Sequence, residues 1–372
     1  MDYDTLKIIW WLMIGLYMVG FVLTVGFDLG IAMLLPFLGR GDAERRTILS
    51  TVMGTWEGNQ VWLVTLGGIL FAVWPLVYAS LFSGPYLAIM LLLFSLLLRP
   101  AGFDFRDKLK SPAWRKFWDW ALFAGGFLPA LLLGVVMGNL LLGLPFRFNE
   151  SLRMTYTGAF WDLLHPFALL CGTITVALLV LHGANFLQCR TLGPIALRAR
   201  QAASISAFVA VGAMGLVALS LFGIEGHRIV DSPDPATAFS PLEKTVEVIG
   251  AGWLRNFLIH PWMLIAPAVA VTGTLMAGAF ARQFIPGLAF WVSGAAMAAT
   301  LLTEAFALFP FLLPSSLDPG SGLTVWDAVS SPFTLKLVLA LTLIFLPIVI
   351  TYTGWVYRVL WGPVTGSTIE NH

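Results

Sequence analysis

Residues 8–37 read IIWWLMIGLYMVGFVLTVGFDLGIAMLLPF, and this stretch decides the fold. A helix crosses a bilayer with about 20 predominantly apolar residues, so the run is long enough to span a membrane. Its only charged side chain is Asp28. A carboxylate in hydrocarbon costs about 3 kcal/mol or more, so an acid at this depth is a candidate for function.

The composition places the whole chain in the same class. Of its 372 residues, 58% are hydrophobic and 11% are charged, whereas about 25% are charged in a soluble domain. The net charge of +1 and the lack of a basic arm exclude a nucleic-acid-binding protein. The two cysteines, Cys171 and Cys189, match no metal or haem-attachment spacing, so no metal site is predicted. The chain is therefore predicted to be an all-α polytopic membrane protein.

The same hydropathy criterion predicts nine transmembrane helices in a single transmembrane domain, 1–372. They cover residues 8–37, 50–75, 79–98, 117–143, 159–185, 203–223, 260–281, 287–312 and 333–357. Nine helices can pack as two bundles plus one further helix, with the first bundle in 1–143 and the second bundle plus the additional helix in 159–357. Residues 224–258 mix acids with prolines and are predicted to form an extramembrane loop.

Lysine and arginine in the loops indicate the orientation of the chain. If the amino terminus is outside, fourteen of these residues fall on the inside and seven on the outside. The short inside loops are also denser in positive charge. The amino terminus is therefore predicted to lie outside and the carboxyl terminus inside.

A second acid lies near the start of the second predicted span, in the run Trp56-Glu57-Gly58-Asn59-Gln60-Val61-Trp62. At 1.5 Å per residue, Asp28 lies roughly 15 Å from the inner end of the first span and Glu57 roughly 10 Å into the second. The two helices are consecutive and antiparallel. Both carboxyls are therefore predicted to lie in the inner half of the membrane, where they could share one polar track.

Neighbouring side chains support a role for this pair of acids. Asn and Gln can hydrogen-bond a carboxyl, and small residues such as Gly26 and Gly30 let another helix approach closely. The predicted supporting residues are Thr24, Trp56, Asn59 and Gln60. The alternative is that each acid only pairs with an arginine or a backbone group inside a bundle.

Two further acids are weaker candidates. Asp104 lies after the third span, where it could gather protons at the inner mouth or pair with Arg106 as a loop anchor. Glu304 lies within the eighth span, and the simplest interpretation gives it a partner in the second bundle. No two histidines lie at matching depth on neighbouring spans, so no haem site is predicted within the chain. His165 and His182 are at most candidates for a single haem ligand.

Five motifs together resemble one known family. They are Gly26–Gly30, Trp56–Trp62, Arg99–Arg106, Phe309–Ser316 and Leu323–Ala328. In this order they resemble subunit II of the cytochrome bd-type quinol oxidases over essentially the whole length. The Trp-acid-Gly-Asn-Gln-Val-Trp run is the most specific of the five.

The resemblance implies a haem-free subunit of an enzyme that oxidises quinol and reduces dioxygen to water in the bacterial cytoplasmic (inner) membrane. It implies two four-helix bundles plus one peripheral helix, with the amino terminus periplasmic and the carboxyl terminus cytoplasmic. Two b-type haems and one d-type haem are expected in the partner, subunit I. A small single-span subunit is a further expected partner, and some family members hold a structural quinone in subunit II. The chain alone is expected to be inactive.

The resemblance also assigns residues. The family's proton-relay acids correspond to Asp28, Glu57 and Asp104, and its oxygen-path tryptophan corresponds to Trp62. Many members carry an additional acid where this chain has Val25, and Asp where it has Glu57. These departures are compatible with the cyanide-insensitive branch of the family.

Two other classes of function compete with this interpretation. A proton-coupled secondary transporter favours inverted repeats and broken helices around a midplane site, and the sequence shows no such pair of interrupted spans. A purely structural membrane scaffold predicts that replacing Asp28 and Glu57 leaves turnover intact.

Overall fold

The computed structural model describes residues 2–364, and most of them are helical. This part of the chain contains twelve α-helices. They are α1 (Tyr3–Leu38), α2 (Asp42–Ser50), α3 (Trp56–Val73), α4 (Pro75–Ser83), α5 (Tyr86–Phe105), α6 (Pro112–Leu142), α7 (Pro166–Arg190), α8 (Pro194–Ser220), α9 (Arg255–Ile259), α10 (Ile265–Arg282), α11 (Pro286–Leu308) and α12 (Pro332–Val359). The predicted helical class is confirmed.

Eight helices of residues 2–364 are long and apolar enough to cross a membrane, namely α1, α5, α6, α7, α8, α10, α11 and α12. The predicted span 50–75 corresponds to α3, which has 18 residues. Glu57 and Asn59 lie in its first turn, and the helix ends at Val73, before Trp74 and Pro75. The exact number of nine spans therefore stays a prediction.

Prolines set the first residue of many of the helices. The pyrrolidine ring suits the first helical position because the backbone N–H there has no partner within the helix. For this reason α7 begins at Pro166, after a short 3₁₀ turn, and not at the predicted residue 159. Similarly, α11 ends at Leu308 and not at the predicted residue 312, because Phe311 and the next two residues form a strand.

Three small antiparallel sheets lie at the end of the helices opposite the α1–α2 connection. They pair β1 (Phe146–Phe148) with β2 (Met154–Tyr156), β3 (Glu225–Asp231) with β4 (Thr245–Gly250), and β5 (Phe311–Leu313) with β6 (Leu323–Thr324). We call this the hairpin end. Strands β3 and β4 occupy the predicted loop 224–258, which the sequence pattern did not reveal as a sheet.

Buried lysines fix the hairpin end to the helices. The Nζ of Lys7 is fully buried at the start of α1 and donates to the carbonyls of Pro235 and Trp326 at 2.7 and 2.8 Å. Lys244 forms a buried ion pair with Asp327 at 2.9 Å. The connection between β3 and β4 is thereby held against the start of α1.

Helix α1 is the centre of the packing and contacts α3, α6, α7 and α11. Its backbone touches that of α7, since a Cβ placed on Gly30 would lie 2.0 Å from the Leu179 carbonyl oxygen. Gly183 of α7 faces the same point, where an added Cβ would lie 2.8 Å from the carbonyl carbon of Gly30. The predicted close approach of a helix beside Asp28 is thus confirmed, and that helix is α7.

The remaining long helices arrange around this centre. Helices α7, α8, α10 and α11 pack against one another, while α12 packs mainly against α1 and α3. Much of the surface of α12 is exposed and apolar, as in Phe345 (59% exposed) and Ile348 (58% exposed). Because α1 contacts helices from both halves of the sequence, the division into bundles at 1–143 and 159–357 stays a prediction.

Candidate functional site

Asp28 lies in the middle of the helical packing and is 2% exposed. The side-chain amide of Asn59, on the neighbouring helix α3, donates from Nδ2 to Asp28 Oδ2 at 2.8 Å. Asn59 is itself 1% exposed. The two predicted site residues therefore meet in a buried hydrogen bond between α1 and α3.

Tyr357 of α12 extends this hydrogen-bonded group. Its hydroxyl donates to Asn59 Oδ1 at 2.6 Å. Almost three hundred residues separate the two side chains in sequence, so no local pattern could reveal the contact. The nearest sequence signal is a tyrosine at the last residue of the predicted span 333–357.

Arg99 is the charged residue of this region that the sequence placed wrongly. The predicted span 79–98 ends before Arg99, but α5 continues through Pro100 to Phe105, and Arg99 is fully buried. Its side-chain Cγ would lie 3.1 Å from a Cβ placed on Gly125 of α6. Its guanidinium nitrogens have no hydrogen-bond partner among residues 2–364, although its charge acts on that of Asp28.

Glu57 does not join Asp28, so the predicted polar track shared by the two acids within this chain is wrong. Glu57 is exposed on the surface of α3, beside Val61 (51% exposed) and Val64 (73% exposed). Successive residues of a helix are rotated by about 100°, so residues two apart point in nearly opposite directions. Since Asn59 faces Asp28, Glu57 must face away from it.

The other supporting residues have mainly structural contacts. The Thr24 hydroxyl donates to Gly20 O within α1 at 2.8 Å, and its carbonyl accepts a long bond of 3.4 Å from Asn59. Trp56 packs against Phe103 of α5, with ring centroids 5.3 Å apart. Gln60 is half-buried and reaches neither carboxyl within the described chain.

Trp62 packs against α1 at a glycine. A Cβ on Gly20 would lie 2.5 Å from the Trp62 ring, so only glycine leaves room for the indole. The ring of Tyr17 lies 5.8 Å from it. A cavity of about 160 Å³ adjoins this indole, lined by Tyr17, Val61, Trp62, Thr65, Phe345, Leu346 and Val349.

A charged cluster lies at the end of the helices opposite the hairpin end. We call this end the arginine-rich end. Asp119 of α6 is 1% exposed and accepts from Arg45 at 2.6 Å and from Arg106 at 2.7 Å. Arg106 also contacts Asp42 at 3.0 Å. The alternative that Asp104 pairs with Arg106 is therefore wrong, because Asp119 has that place and Asp104 is exposed.

A cavity of about 480 Å³ opens at the arginine-rich end beside Tyr357. Its walls are the turn before α3, the end of α7 and the segment after α12. The lining residues are Ser50, Thr51, Met53, Gly54, Thr55, Phe186, Arg190, Tyr357 and 359–364. Tyr357, whose hydroxyl contacts Asn59, is therefore part of the wall of this cavity.

Comparison with known proteins identifies the family. Residues 6–360 match the family described as cytochrome bd terminal oxidase subunit II. The chain is 44% identical to the probable cytochrome oxidase subunit 2 of Haemophilus influenzae and 43% identical to the cytochrome bd-I ubiquinol oxidase subunit 2 of Escherichia coli, covering 100% of this chain and 98% of each relative. The chain belongs to the cytochrome bd terminal oxidase subunit II family. The resemblance carried by the five motifs is thereby confirmed.

More distant members agree with this assignment. The cytochrome bd ubiquinol oxidase subunit 2 of Bacillus subtilis is 30% identical over 352 residues, with 94% of each chain covered. The bd oxidase structure from Geobacillus thermodenitrificans superposes with a TM-score of 0.66 over 95% of this chain and 98% of its own, at 16% identity. At that identity the likeness shows the fold alone.

The two histidines that were candidates for a haem ligand both have protein partners. In His182, Nδ1 contacts the Ser293 hydroxyl at 2.8 Å and Nε2 contacts the Leu23 carbonyl at 3.1 Å, so both ring nitrogens are engaged. His165 accepts from the Phe167 amide at 3.2 Å and caps α7. Across residues 2–364 no cluster of three or more His, Cys, Asp or Glu side chains could hold a metal ion.

Glu304 stands apart from this subunit's other acids. Its Oε1 is buried in α11 and has no hydrogen-bond partner in the described part of the chain. The expected partner in the second bundle is therefore not found there. The charge of Glu304 acts on the thiol of Cys171 in α7.

Proposed function

We propose that this chain is subunit II of a quinol:oxygen oxidoreductase of the bd type and that it carries protons from the cytoplasm toward the oxygen-reducing centre. Membership of the terminal oxidase family supports the reaction, as do the relatives named as ubiquinol oxidase subunits. The observation that carries the proton route is the buried Asp28–Asn59–Tyr357 group beside the cavity at the arginine-rich end.

The haems belong, in this proposal, to the partner subunit I. Two b-type haems and one d-type haem supply electron transfer and oxygen reduction in the complex. The engaged nitrogens of His182 support this division, because that ring has no free nitrogen for an iron. In this proposal the chain contributes protonatable groups and shape to the complex, and no haem ligand.

The surface of α3 that carries Glu57 is proposed to face subunit I. An acid exposed to lipid costs about 3 kcal/mol or more. Glu57 shares its face with exposed Val61 and Val64, and the glycines Gly58 and Gly67 leave open space on this helix. Small residues of this kind suit close helix packing in a membrane. Glu57 would then receive protons at the boundary between the two subunits.

The orientation follows from the same charges that indicated it in the sequence. Arg45, Arg106 and their acidic partners lie at the arginine-rich end, which we propose to be cytoplasmic. The hairpin end and the amino terminus are then periplasmic. In this arrangement α3 is the ninth span, since its 18 residues cover about 27 Å at 1.5 Å each. The peripheral helix would be α12.

An oxygen path beside Trp62 is a further part of the proposal. The cavity of about 160 Å³ next to its ring is lined mainly by apolar side chains of α1, α3 and α12. Such a lining suits dioxygen, which is small and apolar. The structural quinone and the small single-span subunit stay predictions.

The test uses the purified two-subunit complex carrying Asp28→Asn, Glu57→Gln or both. We expect quinol binding and the haem spectrum to be retained while dioxygen consumption falls steeply, and most steeply in the double variant. Glu150→Gln, which changes an exposed carboxyl between β1 and β2, is the matched control. Normal turnover in the double variant would reject the relay in favour of a structural scaffold, while family membership would stand.

A further inference from the structure

We propose that Asp28, Asn59 and Arg99 form a binding site for an internal water molecule, and that Tyr357 determines which oxygen of Asp28 faces it. Asp28 is on α1, Asn59 on α3 and Arg99 on α5, and the charge of Arg99 acts on that of Asp28. Its use in proton transfer rests on the proposed function, but its existence does not.

The first argument is the orientation of the Asn59 amide. Tyr357 donates to Asn59 Oδ1 at 2.6 Å, so the NH₂ group of the amide must point the other way, toward Asp28. That NH₂ donates to Asp28 Oδ2 at 2.8 Å. Oδ2 is thereby engaged as an acceptor, and any proton that Asp28 holds is placed on Oδ1.

The second argument is the state of the remaining buried atoms. Asp28 Oδ1 has no hydrogen-bond partner within residues 2–364, and neither do Nε, Nη1 and Nη2 of Arg99. Arg99 is 0% exposed and Asp28 is 2% exposed. A guanidinium has five N–H donors and no acceptor. Buried groups of this kind almost always have a protein or water partner.

The charges of the site select water over an anion. Arg99 needs an acceptor, whereas ionised Asp28 needs a donor at Oδ1. Water is both, and buried waters typically make about three hydrogen bonds. Asp28 already balances the charge of Arg99, so an additional anion would leave the buried site with a net negative charge.

The water gives Asp28 a route for its proton that avoids the Asn59 amide. In the forward step a protonated water donates one proton to ionised Oδ1, which leaves water and a neutral carboxylic acid. In the return step the Oδ1–H bond breaks and the proton passes to the water. Asn59, Tyr357 and Arg99 hold the geometry and exchange no proton, so we regard them as positioning residues.

The direct test is a cryo-electron microscopy map of the complex at a resolution that shows water. We expect a density within hydrogen-bonding distance of both Asp28 Oδ1 and Arg99. An empty space, or a side chain of the partner subunit filling it, would overturn the proposal. This result does not depend on turnover, so it separates the water site from the relay.

The role of Tyr357 is tested by Tyr357→Phe in the same complex, with Tyr352→Phe as the matched control. Tyr352 is on the same helix and is 63% exposed. Loss of one neutral hydrogen bond corresponds to about a 2- to 10-fold change. We expect that reduction in dioxygen consumption for Tyr357→Phe, together with a shift of the infrared carboxyl band that Asp28→Asn removes.

A merely structural role for Tyr357 would leave the infrared band of Asp28 where it is, and that result would overturn the second half of the proposal. Arg99→Lys and Arg99→Met separate charge from hydrogen bonding. Arg99→Lys should retain part of the activity and the water density, while Arg99→Met should lose both. If Asp28→Asn is inactive but Tyr357→Phe and Arg99→Met behave like the wild type, this inference fails and the relay stands.

Discussion

Asp119 and Asp28 are almost equally buried, at 1% and 2% exposed, but their surroundings differ. Asp119 directly contacts Arg45 and Arg106 and is fully paired. Asp28 accepts one amide hydrogen bond, and its second oxygen is free of protein partners in the described chain. A carboxylate in direct contact with two arginines cannot readily exchange its proton, whereas one with a free oxygen can. Burial alone therefore does not identify a relay acid. The distinguishing feature is a carboxyl oxygen that is not paired with a cation.

The largest expected effect comes from removing the unpaired acid. Asp28→Asn should lower dioxygen consumption of the complex about 10²- to 10⁴-fold, the range of general acid–base contributions. Its melting temperature should fall far less than its activity, because an amide oxygen can still accept from Asn59, although Arg99 loses the charge that balances its own. Steady-state oxygen electrode measurements with a soluble quinol, beside a thermal melt of the same sample, check both statements. If the loss of activity were explained by a lower melting temperature, Asp28 would be a structural acid like Asp119 and the comparison would be contradicted.

Removing the paired acid, Asp119, should lower the stability of the complex and leave its turnover unchanged. Asp119→Asn leaves Arg45 and Arg106 without their buried counter-charge, which costs about 3–5 kcal/mol. We expect a lower yield and melting temperature of the complex, with normal turnover per assembled molecule. Asp107→Asn is the control, because Asp107 contacts Arg106 at 3.0 Å but is 49% exposed and should cost less than about 1 kcal/mol.

The close contact of α1 with α7 fixes the position of Asp28. A methyl group added at this contact should move α1. Gly30→Ala would set a Cβ 2.0 Å from the Leu179 carbonyl, so α1 must shift. Overpacking of this kind typically costs about 1–3 kcal/mol. We expect lower stability together with a partial loss of turnover. Gly212→Ala in α8, where nothing lies within 4 Å, should lose neither.

The smallest effect concerns a half-buried ion pair at the arginine-rich end. The Arg198 guanidinium contacts Glu44 at 2.6 Å and holds the pKa of that carboxyl below its usual 4.5. A lowered carboxyl pKa stabilises the folded state above the unfolded pKa, and this contribution disappears as the pH falls through the folded value. Unfolding measured between pH 7 and pH 3 should therefore show a slightly smaller acid loss for Glu44→Gln than for the wild type. An equal loss would mean that the pair contributes nothing.

Much of the fold could be predicted because long apolar runs have few alternatives in a membrane. The Asp28–Asn59 contact could also be anticipated, since both residues lie at similar depth on consecutive helices. The 100° rotation per residue also predicts that Glu57 faces away from Asn59 and Asp28. The predicted shared track was wrong because it compared only the depths of the two acids.

Other features depend on information that local sequence does not contain. Arg99 precedes a proline, and the residue before a proline usually leaves the helical conformation. Here α5 continues through Pro100, which carries Arg99 into the interior. The contact of Tyr357 with Asn59 joins the last helix to the third and is set by packing. Strands β3 and β4 are joined by a long connection without the short turn that signals a hairpin.

The most direct measurement is proton uptake by the reconstituted complex during a single turnover, comparing the wild type with Asp28→Asn and Asp119→Asn. If Asp28 relays protons, Asp28→Asn should transfer electrons to the haems but take up protons from the arginine-rich side far more slowly. Asp119→Asn should take them up at the wild-type rate per assembled complex. Equal uptake rates in the wild type and Asp28→Asn would contradict the account.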